Sequence, residues 1–261
     1  MIDHAASTPG LAQRYTATTL VGRALRLPLA LIPRSAVLRV LGGPNKGLRW
    51  RAGAFVHGCW LGTYEADKAA RVAAAVRPGM TVFDVGANAG YYTLLFSRLV
   101  GPSGAVVAFE PLPENAASLL EHVTWNGLGN VRLLSAAVAQ GPGLTGFQVA
   151  ASNAMGHLAG EAALLQVSTV GLDDLIARGL VPRPDLVKMD IEGAEGQALA
   201  GATALLAERR TIWFIALHGR EARQACGQRL RAAGYAITSL AGEAIPDLST
   251  WAGDEIVARP S

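Results

Sequence analysis

The chain lacks several features that would place it in a specialised class of protein. It has only two cysteines, Cys59 and Cys226, which are far apart and form no C-x-x-C pair, so neither a disulfide framework nor a cysteine-rich metal site is expected. No apolar run is long enough to span a bilayer, and the N-terminus shows no charged-then-apolar signal sequence. The sequence therefore predicts a soluble, cytoplasmic protein.

Acidic residues are nearly absent from the first part of the chain. Residues 1–51 hold eight Lys and Arg and a single acid, Asp3, for a net +7, whereas the remainder carries −4. Such a basic arm with apolar stretches predicts either a helix packed on the main domain or weak peripheral contact with an anionic membrane. Because only one aromatic residue precedes Trp50, there are no stacking platforms, and nucleic-acid binding is not expected.

What is present predicts one α/β domain with an N-terminal extension. The chain has 261 residues, 51% of them hydrophobic, which is enough to bury a full core. The predicted division is a basic helical extension over 1–45 and a main domain over 46–261, with a cofactor-binding core over 79–240. The oligomeric state has no sequence signal.

Strands alternate with helices from Thr81 onward, which predicts a doubly wound, mainly parallel sheet. Helices are predicted over 11–42, 61–77, 91–100, 113–125, 172–176, 195–206 and 220–233. Strands are predicted over 47–51, 54–60, 81–85, 105–109, 131–138, 144–150, 165–170, 184–190, 211–217, 235–240 and 255–258. The two strands over 144–150 and 165–170 interrupt the alternation and predict a β-hairpin inserted in the sheet.

The segment 81–93 is the most informative in the chain. An apolar strand contains Asp84, and a glycine loop, Gly86-Ala-Asn88-Ala-Gly90, leads into an apolar helix. This arrangement lets backbone N–H groups approach a nucleotide-like ligand. The middle glycine of the dinucleotide fingerprint is absent, and Glu110 ends the next strand about twenty residues on, where an acid can bind ribose hydroxyls. Asp84, the loop and Glu110 favour an S-adenosylmethionine site over a dinucleotide site.

Polar residues follow several strands, and ligands of such sheets bind beyond the carboxyl ends of the strands. Besides Asp84 and Glu110, these residues are Ser135, Ala136 and Ala137 after the third strand, Asp190 after the fourth and His218 after the fifth. A second motif is Lys188-Met-Asp190-Ile-Glu192-Gly-Ala-Glu195. Strand alternation places Asp190 on the same face as Lys188, and Glu192 also lies on that face if the chain stays extended. Glu195 is interpreted as an acid placed for the helix dipole.

The chain resembles the FkbM family of S-adenosylmethionine-dependent methyltransferases. The matching motifs occur in family order over residues 45–240: Leu61-Gly-Thr-Tyr-Glu65, Asp84–Gly90, Ala108-Phe-Glu-Pro111, Val170–Leu175, Lys188–Glu195 and Leu217-His-Gly219. The resemblance implies a class I methyltransferase fold with a seven-stranded Rossmann-like sheet, and S-adenosylmethionine as cofactor, released as S-adenosylhomocysteine. It also implies that Asp84, Gly86 and Gly90 lie near the methionine part, Glu110 on the ribose, and Tyr64 and Glu65 beside the pocket.

Together these observations predict a methyltransferase that acts on a hydroxyl of a sugar, a glycan or lipid-linked acceptor, or a secondary metabolite. The predicted catalytic residues are Asp190, Glu192 and His218. The predicted cofactor-binding residues are Tyr64, Glu65, Asp84, Gly86, Asn88, Gly90, Glu110, Ser135, Ala136 and Asp190. The alternatives are a nicotinamide-dependent oxidoreductase and a scaffold that binds S-adenosylmethionine without turnover.

One position departs from the family pattern. Relatives usually carry a glutamate two residues before the histidine, and this chain has Ala216 there, so a carboxylate is expected to be missing near the acceptor. A Mg²⁺ site of Asp190, Glu192 and His218 is conceivable, but histidine is a poor Mg²⁺ ligand and Ala216 removes an oxygen donor. No metal is therefore predicted.

Overall fold

The computed structural model describes residues 29, 31–149, 156–159 and 163–261. The helices predicted over 11–42 lie largely outside the described residues; Leu29 is helical, but residues 37–39 form a strand instead. Strand β1 (Val37–Arg39) pairs antiparallel with β2 (Arg49–Arg51). The helix prediction is wrong there because Leu38 alternates with two exposed neighbours, the two-residue period of a half-buried strand.

The strand predicted over 54–60 is also wrong, because Cys59 and Trp60 are buried in a single helical turn, α1 (Gly58–Leu61). Gly62 ends this turn with a φ of 85°, and a Cβ there would lie 2.1 Å from the carbonyl carbon of Gly42. The predicted amphipathic helix follows as α2 (Ala66–Ala75), which buries Ala69 and Val72.

The main sheet has seven strands, as predicted, and it confirms the class I methyltransferase fold. In chain order its strands are β3 (Thr81–Val85), β4 (Ala105–Phe109), β5 (Val131–Leu134), β10 (Leu186–Met189), β11 (Ile212–Ala216), β12 (Tyr235–Ser239) and β13 (Glu255–Pro260). Their spatial order is β12-β13-β11-β10-β3-β4-β5. Strand β13 runs antiparallel to β11 and β12, and the other neighbouring pairs are parallel.

Helices cover both faces of this sheet. They are α3 (Tyr91–Val100), α4 (Pro113–Trp125), α5 (Leu172–Ala177), α6 (Glu195–Ala200), α7 (Thr203–Ala207) and α8 (Gly219–Ala232). Alternation along β3 divides the core, because Val82 packs in the cluster on one face while Phe83 and Val85 pack in the cluster on the other. The helix predicted over 195–206 is split at Gly201, where a Cβ would meet the Ala139 carbonyl oxygen at 2.2 Å.

The predicted inserted hairpin is instead part of a separate four-stranded sheet. Its strands are β6 (Ala137–Val138), β7 (Gly143–Val149), β8 (Gly156–Ala159) and β9 (Leu165–Val170), in the order β6-β9-β7-β8. The strand predicted over 131–138 divides between the two sheets, because Ala137 leaves the main sheet to pair with Thr169. Ala137, Phe147 and Val167 pack with Leu112 in a small core of their own. This sheet therefore borders the end of β4, where Glu110 lies.

His122 attaches the N-terminal hairpin to the glycine loop. Its ring is fully buried in α4 and stacks on Trp50 with ring centroids 4.0 Å apart. Nδ1 lies 2.8 Å from the Ala89 carbonyl oxygen, and Nε2 accepts the Arg51 backbone N–H at 2.9 Å. With one nitrogen donating and the other accepting, the ring is neutral. Burial accordingly lowers the pKa of His122 to about 4.

We expect stability to fall on mild acidification because of His122. In the unfolded chain its pKa returns to about 6.5, so between pH 6.5 and 4 the unfolded state binds a proton that the folded state does not. The free energy of unfolding should drop by about 3 kcal/mol over that range from this group. Urea unfolding at a series of pH values would measure it. The His122→Gln variant should lose this part of the dependence, and parallel curves for both proteins would contradict the assignment.

Candidate functional site

The site lies at the carboxyl ends of the parallel strands β3, β4, β10 and β11. A cavity of about 330 Å³ opens there, and its lining includes the glycine loop, Glu110, Asp190 and His218. That volume falls within the range of small-molecule sites. Asp84 is placed beneath it, since β3 and β10 are parallel neighbours with Asp84 opposite Lys188.

The glycine loop has the conformation its sequence requires. Gly86 has a φ of 78°, and a Cβ there would lie 2.0 Å from the Asp190 carbonyl oxygen, so no other residue fits. Asn88 adopts the left-handed conformation with a φ of 49°, which asparagine tolerates better than most residues. Gly90, with a φ of 95°, caps α3. The loop thus turns sharply between strand and helix, as predicted from its residues.

Asp84 and Glu110 support this loop from below and from the side. Asp84 is fully buried, and one oxygen accepts the Thr93 hydroxyl at 2.6 Å. Glu110 Oε2 accepts the Asn88 backbone N–H at 2.8 Å, while Oε1 accepts the Leu112 N–H at 2.9 Å. Burial raises the pKa of Glu110, and these hydrogen bonds oppose that shift. Glu110 therefore joins the loop to the start of α4.

Tyr64 and Glu65 lie beside the cavity, together with two tyrosines that sequence reasoning did not select. The Tyr92 hydroxyl donates to Glu65 Oε2 at 2.7 Å, and the Tyr91 hydroxyl donates to the Tyr64 carbonyl oxygen at 3.0 Å. Burial raises the pKa of Tyr64 and Tyr92, so both phenols stay neutral donors. The signal that could have found Tyr91 and Tyr92 is their position at the first turn of the helix after the loop.

Two lysines, the buried Lys188 and the partly buried Lys68, pair with the acids of the site. Lys188 Nζ lies 3.5 Å from Asp84 Oδ1 and 3.9 Å from Asp190 Oδ2. Lys68 Nζ lies 3.4 Å from both Glu65 and Asp190 and also contacts Glu255. Burial alone would lower the pKa of Lys68, but these carboxylates raise it above its usual value. Likewise burial alone would raise the pKa of Asp190, but Lys188, Lys68 and His218 hold it below its usual range.

Glu255 corrects the expectation drawn from Ala216. In the antiparallel pair of β11 and β13, Ala216 is directly opposite Glu255, so both point to the same face of the sheet. Both residues line the cavity. A carboxylate that Ala216 cannot supply is thus present at this part of the cavity wall, contributed by the neighbouring strand. Sequence reasoning missed Lys68 and Glu255 because neither lies in a motif.

His218 is the centre of the acidic cluster at the end of β10 and β11. Its Nε2 lies 3.7 Å from both Asp190 Oδ1 and Glu192 Oε2. Its Nδ1 lies 2.8 Å from Glu195 Oε1. The hydrogen bond with Glu195 raises the pKa of His218 most; burial opposes it, and Asp190 and Glu192 add to it, giving a pKa of about 9.

The structure changes the interpretation of two acids in the Lys188–Glu195 motif. Glu192 does not follow an extended strand, because β10 ends at Met189 and Glu192 has a left-handed φ of 52°; the turn carries it towards His218 instead. Glu195 lies in the first turn of α6, as predicted, but its role goes beyond the helix dipole. It is fully buried, accepts the Gly193 backbone N–H at 3.1 Å as well as contacting His218, and its Oε2 has no hydrogen-bond partner among the described residues.

Three predicted cofactor residues do not line the cavity: Asp84 and Gly90 support the glycine loop from within the protein, and Ser135 lies apart from it. Ser135 is exposed and absent from the lining of the cavity, whereas Ala136 and Ala137 lie in it. The reason is the division of the predicted strand, since the chain turns at Ser135 to enter the second sheet. Asp190, Glu192 and His218 do come together, with one ligand atom each within 4.8 Å of the others, a spacing that a divalent cation could bridge. That no metal binds there stays a prediction.

The residues of the cavity fit S-adenosylmethionine. Gly86, Asn88 and their neighbours bring the loop backbone to the cavity, and Glu110 adds a carboxylate at the end of the adjacent strand. Asp84 Oδ1, buried beneath the loop, has no hydrogen-bond partner among the described residues and pairs with Lys188. When bound, this group supplies a methyl on a positively charged sulfur. Among the described residues of this lining, no basic side chain lies beside Glu110 that would suit an extra phosphate.

Comparison with known proteins gives one family and several partial relatives. The methyltransferase FkbM domain matches residues 84–243. A hexuronic acid methyltransferase, AglP, of Haloferax volcanii is 31% identical over 126 residues, which are 48% of this chain and 51% of that protein. An arsenite methyltransferase of Halobacterium salinarum is 29% identical over 54% of this chain and 42% of its own length. The chain thus spans about half the length of these curated relatives.

Among solved structures, the methyltransferase FkbM of Methylobacillus flagellatus KT is similar with a TM-score of 0.48. It is 18% identical, and the alignment covers 69% of this chain and 43% of that one. In the part of this chain that the structure describes, no helix combines the length and apolarity needed to cross a membrane.

Proposed function

This chain belongs to the FkbM family of methyltransferases, and from that premise we propose that it transfers a methyl group from S-adenosylmethionine to a hydroxyl oxygen. The proposed acceptors are a sugar, a glycan or lipid-linked saccharide, or a secondary metabolite. The observation that carries the proposal is His218, held by buried Glu195 at one nitrogen and directed at Asp190 and Glu192 by the other.

The proposed mechanism uses the chain's own residues in three ways. The loop from Gly86 to Gly90 and Glu110 bind and orient the cofactor. His218 Nε2 accepts the proton of the acceptor hydroxyl while the oxygen forms its bond to the methyl carbon and the bond from that carbon to sulfur breaks. Asp190, Glu192 and Glu195 stabilise the imidazolium that results. The aromatic wall of Tyr64, Tyr91 and Tyr92 excludes water from the reacting atoms.

Family membership argues against the oxidoreductase alternative, while a scaffold without turnover remains an outcome of the test. Calorimetric titration with S-adenosylhomocysteine, beside NAD⁺ and NADH, should give binding of S-adenosylhomocysteine alone. Incubation with methyl-labelled S-adenosylmethionine and a set of hydroxylated acceptors should then give a labelled ether. Binding without transfer to any acceptor would favour the scaffold, and preference for a nicotinamide cofactor would overturn the proposal.

We also propose weak contact of the N-terminal hairpin region with an anionic lipid surface. Over residues 31–56 the exposed side chains include Leu31, Val37, Leu41 and Val56. Exposed basic residues lie among them, with Arg39 opposite Arg49 in the hairpin. No acid occurs between Asp3 and Glu65. The exposed basic side chains complement the negative charge of an anionic lipid surface. The exposed apolar side chains can enter the boundary between its headgroups and acyl chains.

Vesicle sedimentation tests this contact. The chain should pellet with vesicles that contain phosphatidylglycerol, and less with phosphatidylcholine alone or at high salt. The double variant Arg39→Glu, Arg49→Glu should lose the interaction, while Arg178→Glu, Arg259→Glu, which makes the same charge change on other exposed positions, should keep it. Equal pelleting of both variants, or binding to neutral vesicles, would contradict the proposal.

A further inference from the structure

The charge of the cavity restricts the acceptor. Six carboxylates line it and only two cationic side chains do. The acids are Glu65, Glu110, Asp190, Glu192, Asp254 and Glu255, and the cations are Lys188 and His218. Glu110 lies on the cofactor side, beside the glycine loop. Asp190 and Glu192 lie 3.7 Å from His218 Nε2, and Lys68 links Asp190 to Glu65 and Glu255, so acids outnumber cations around the proposed acceptor position.

The two cations are already held by carboxylates. Lys188 lies between Asp84 and Asp190, 3.3 Å from the Gly86 carbonyl oxygen and 5.1 Å from the centroid of the Tyr92 ring. His218 is bonded to Glu195 and faces two further acids. Among the described residues that line the cavity, then, no Lys or Arg is available to pair with an anionic substrate.

The nearby basic residues outside the lining do not provide a cation for an anionic substrate either. Lys68 lies behind the wall and contacts three carboxylates. Arg51 pairs with Glu121 and donates to Ser118 on α4. Among the described residues, these are the basic side chains next to the lining; of the residues outside that description, 150–155 and 160–162 include no Lys or Arg, and Arg14, Arg23 and Arg26 belong to 1–28. An anion brought to His218 would therefore meet several like charges in a partly desolvated space, where such repulsion is costly.

We infer that the part of the acceptor that enters this cavity carries no negative charge and is a neutral polyol or an amine-bearing sugar. This inference rests on the proposed function and deepens it. Carboxylate oxygens accept hydrogen bonds from hydroxyl groups and pair with an ammonium. The acceptor class thus differs from a uronic acid, although a relative that is 31% identical over 126 residues is named a hexuronic acid methyltransferase.

Three matched acceptors test the inference: methyl glucoside, methyl glucosaminide and methyl glucuronide, which share a ring and differ in charge. Each is incubated with the chain and methyl-labelled S-adenosylmethionine, and kcat/KM is compared. We expect the glucuronide to be at least about tenfold poorer than the better of the other two, since like-charge contact costs more than the 1.4 kcal/mol that a tenfold change represents. Equal or preferred methylation of the glucuronide would overturn the inference.

A second measurement keeps the inference testable if none of these sugars is turned over. Saturation-transfer NMR on the complex with S-adenosylhomocysteine should give stronger signals for the glucoside or glucosaminide than for the glucuronide, and the reverse order would overturn the inference. Asp254→Asn removes one negative charge from the lining and should narrow the difference between the glucuronide and the other two sugars. Asp67 is exposed on α2 and lies outside the lining, so Asp67→Asn should leave that difference unchanged. Failure of the proposed function is distinct: S-adenosylhomocysteine binds, but no acceptor of any charge receives the label.

Discussion

Replacement of His218 with glutamine is expected to slow methyl transfer by about 10²- to 10⁴-fold, the usual contribution of a positioned base. Binding of S-adenosylhomocysteine should stay close to that of the wild type, because Glu110 and the glycine loop are untouched. Single-turnover transfer of labelled methyl and calorimetry measure the two quantities. Glu243→Gln, at an exposed position of the turn after β12, is the matched control. A His218→Gln variant with full activity would remove histidine from the mechanism.

The pH dependence of the reaction provides a sharper test of the same residue. His218 must be neutral to accept a proton, and its pKa of about 9 means that it is mostly protonated at neutral pH. The value of kcat/KM should therefore rise about tenfold per pH unit and level off near pH 9. The His218→Gln variant should lack this rise of kcat/KM with pH. A profile of the wild type that is flat between pH 6.5 and 9 would contradict the assignment.

Glu195 is a positioning residue in this scheme, since it acts on the substrate only through His218. The hydrogen bond from Glu195 is the largest cause of the raised pKa of His218. Glu195→Gln should therefore move the rising part of the pH profile of kcat/KM to lower pH. A purely structural role of Glu195 would lower activity without moving the rising part of the pH profile.

The same assays with EDTA test for a metal. A loss of activity that Mg²⁺ or Mn²⁺ restores would show that Asp190, Glu192 and His218 hold a cation, and the predicted absence of metal would be wrong.

Replacement of Glu110 with glutamine is expected to weaken S-adenosylhomocysteine binding by roughly 10²-fold. Hydrogen bonds to a charged group contribute about 1.5–3 kcal/mol each, and Glu110 is expected to hold both ribose hydroxyls. The amide would also point an NH₂ group at one of the backbone N–H groups of Asn88 and Leu112, which the carboxylate now satisfies. Calorimetry measures the affinity and thermal unfolding checks the fold, with Glu243→Gln again as control.

Retention of the affinity of the wild type in Glu110→Gln would contradict the cofactor position. If instead the Glu110→Gln variant unfolds, the milder Asn115→Ala variant separates loss of the fold from loss of cofactor binding. Asn115 Nδ2 donates to Glu110 Oε1 at 3.4 Å, so loss of the Asn115 side chain should weaken S-adenosylhomocysteine binding only a few-fold. Wild-type affinity in a folded Asn115→Ala variant would place the ribose elsewhere.

Much of the fold could be predicted from local patterns. The strands over 81–85 and 105–109 and the helices over 91–100 and 113–125 begin and end where predicted. Each is an apolar run of the right period, bounded by Gly or Pro. The errors fall where residues lack this periodicity, as at Ala54–Trp60, or where one apolar run serves two sheets, as at 131–138. Alternation describes a strand but not the partner with which it pairs.

The sequence by itself determined the fold class, the glycine loop and the carboxylates at the strand ends, because each is a property of neighbouring residues: hydrophobic period, positive φ at glycine, and an acid that directly follows an apolar run. Only the tertiary structure decided which distant groups meet. Lys68 contacts Asp190, 122 residues away, and Glu255 reaches the cavity because β13 pairs antiparallel with β11. Glu195 became the partner of His218 because β10 and β11 are neighbours, and spatial adjacency of this kind is fixed by the order of strands in the sheet.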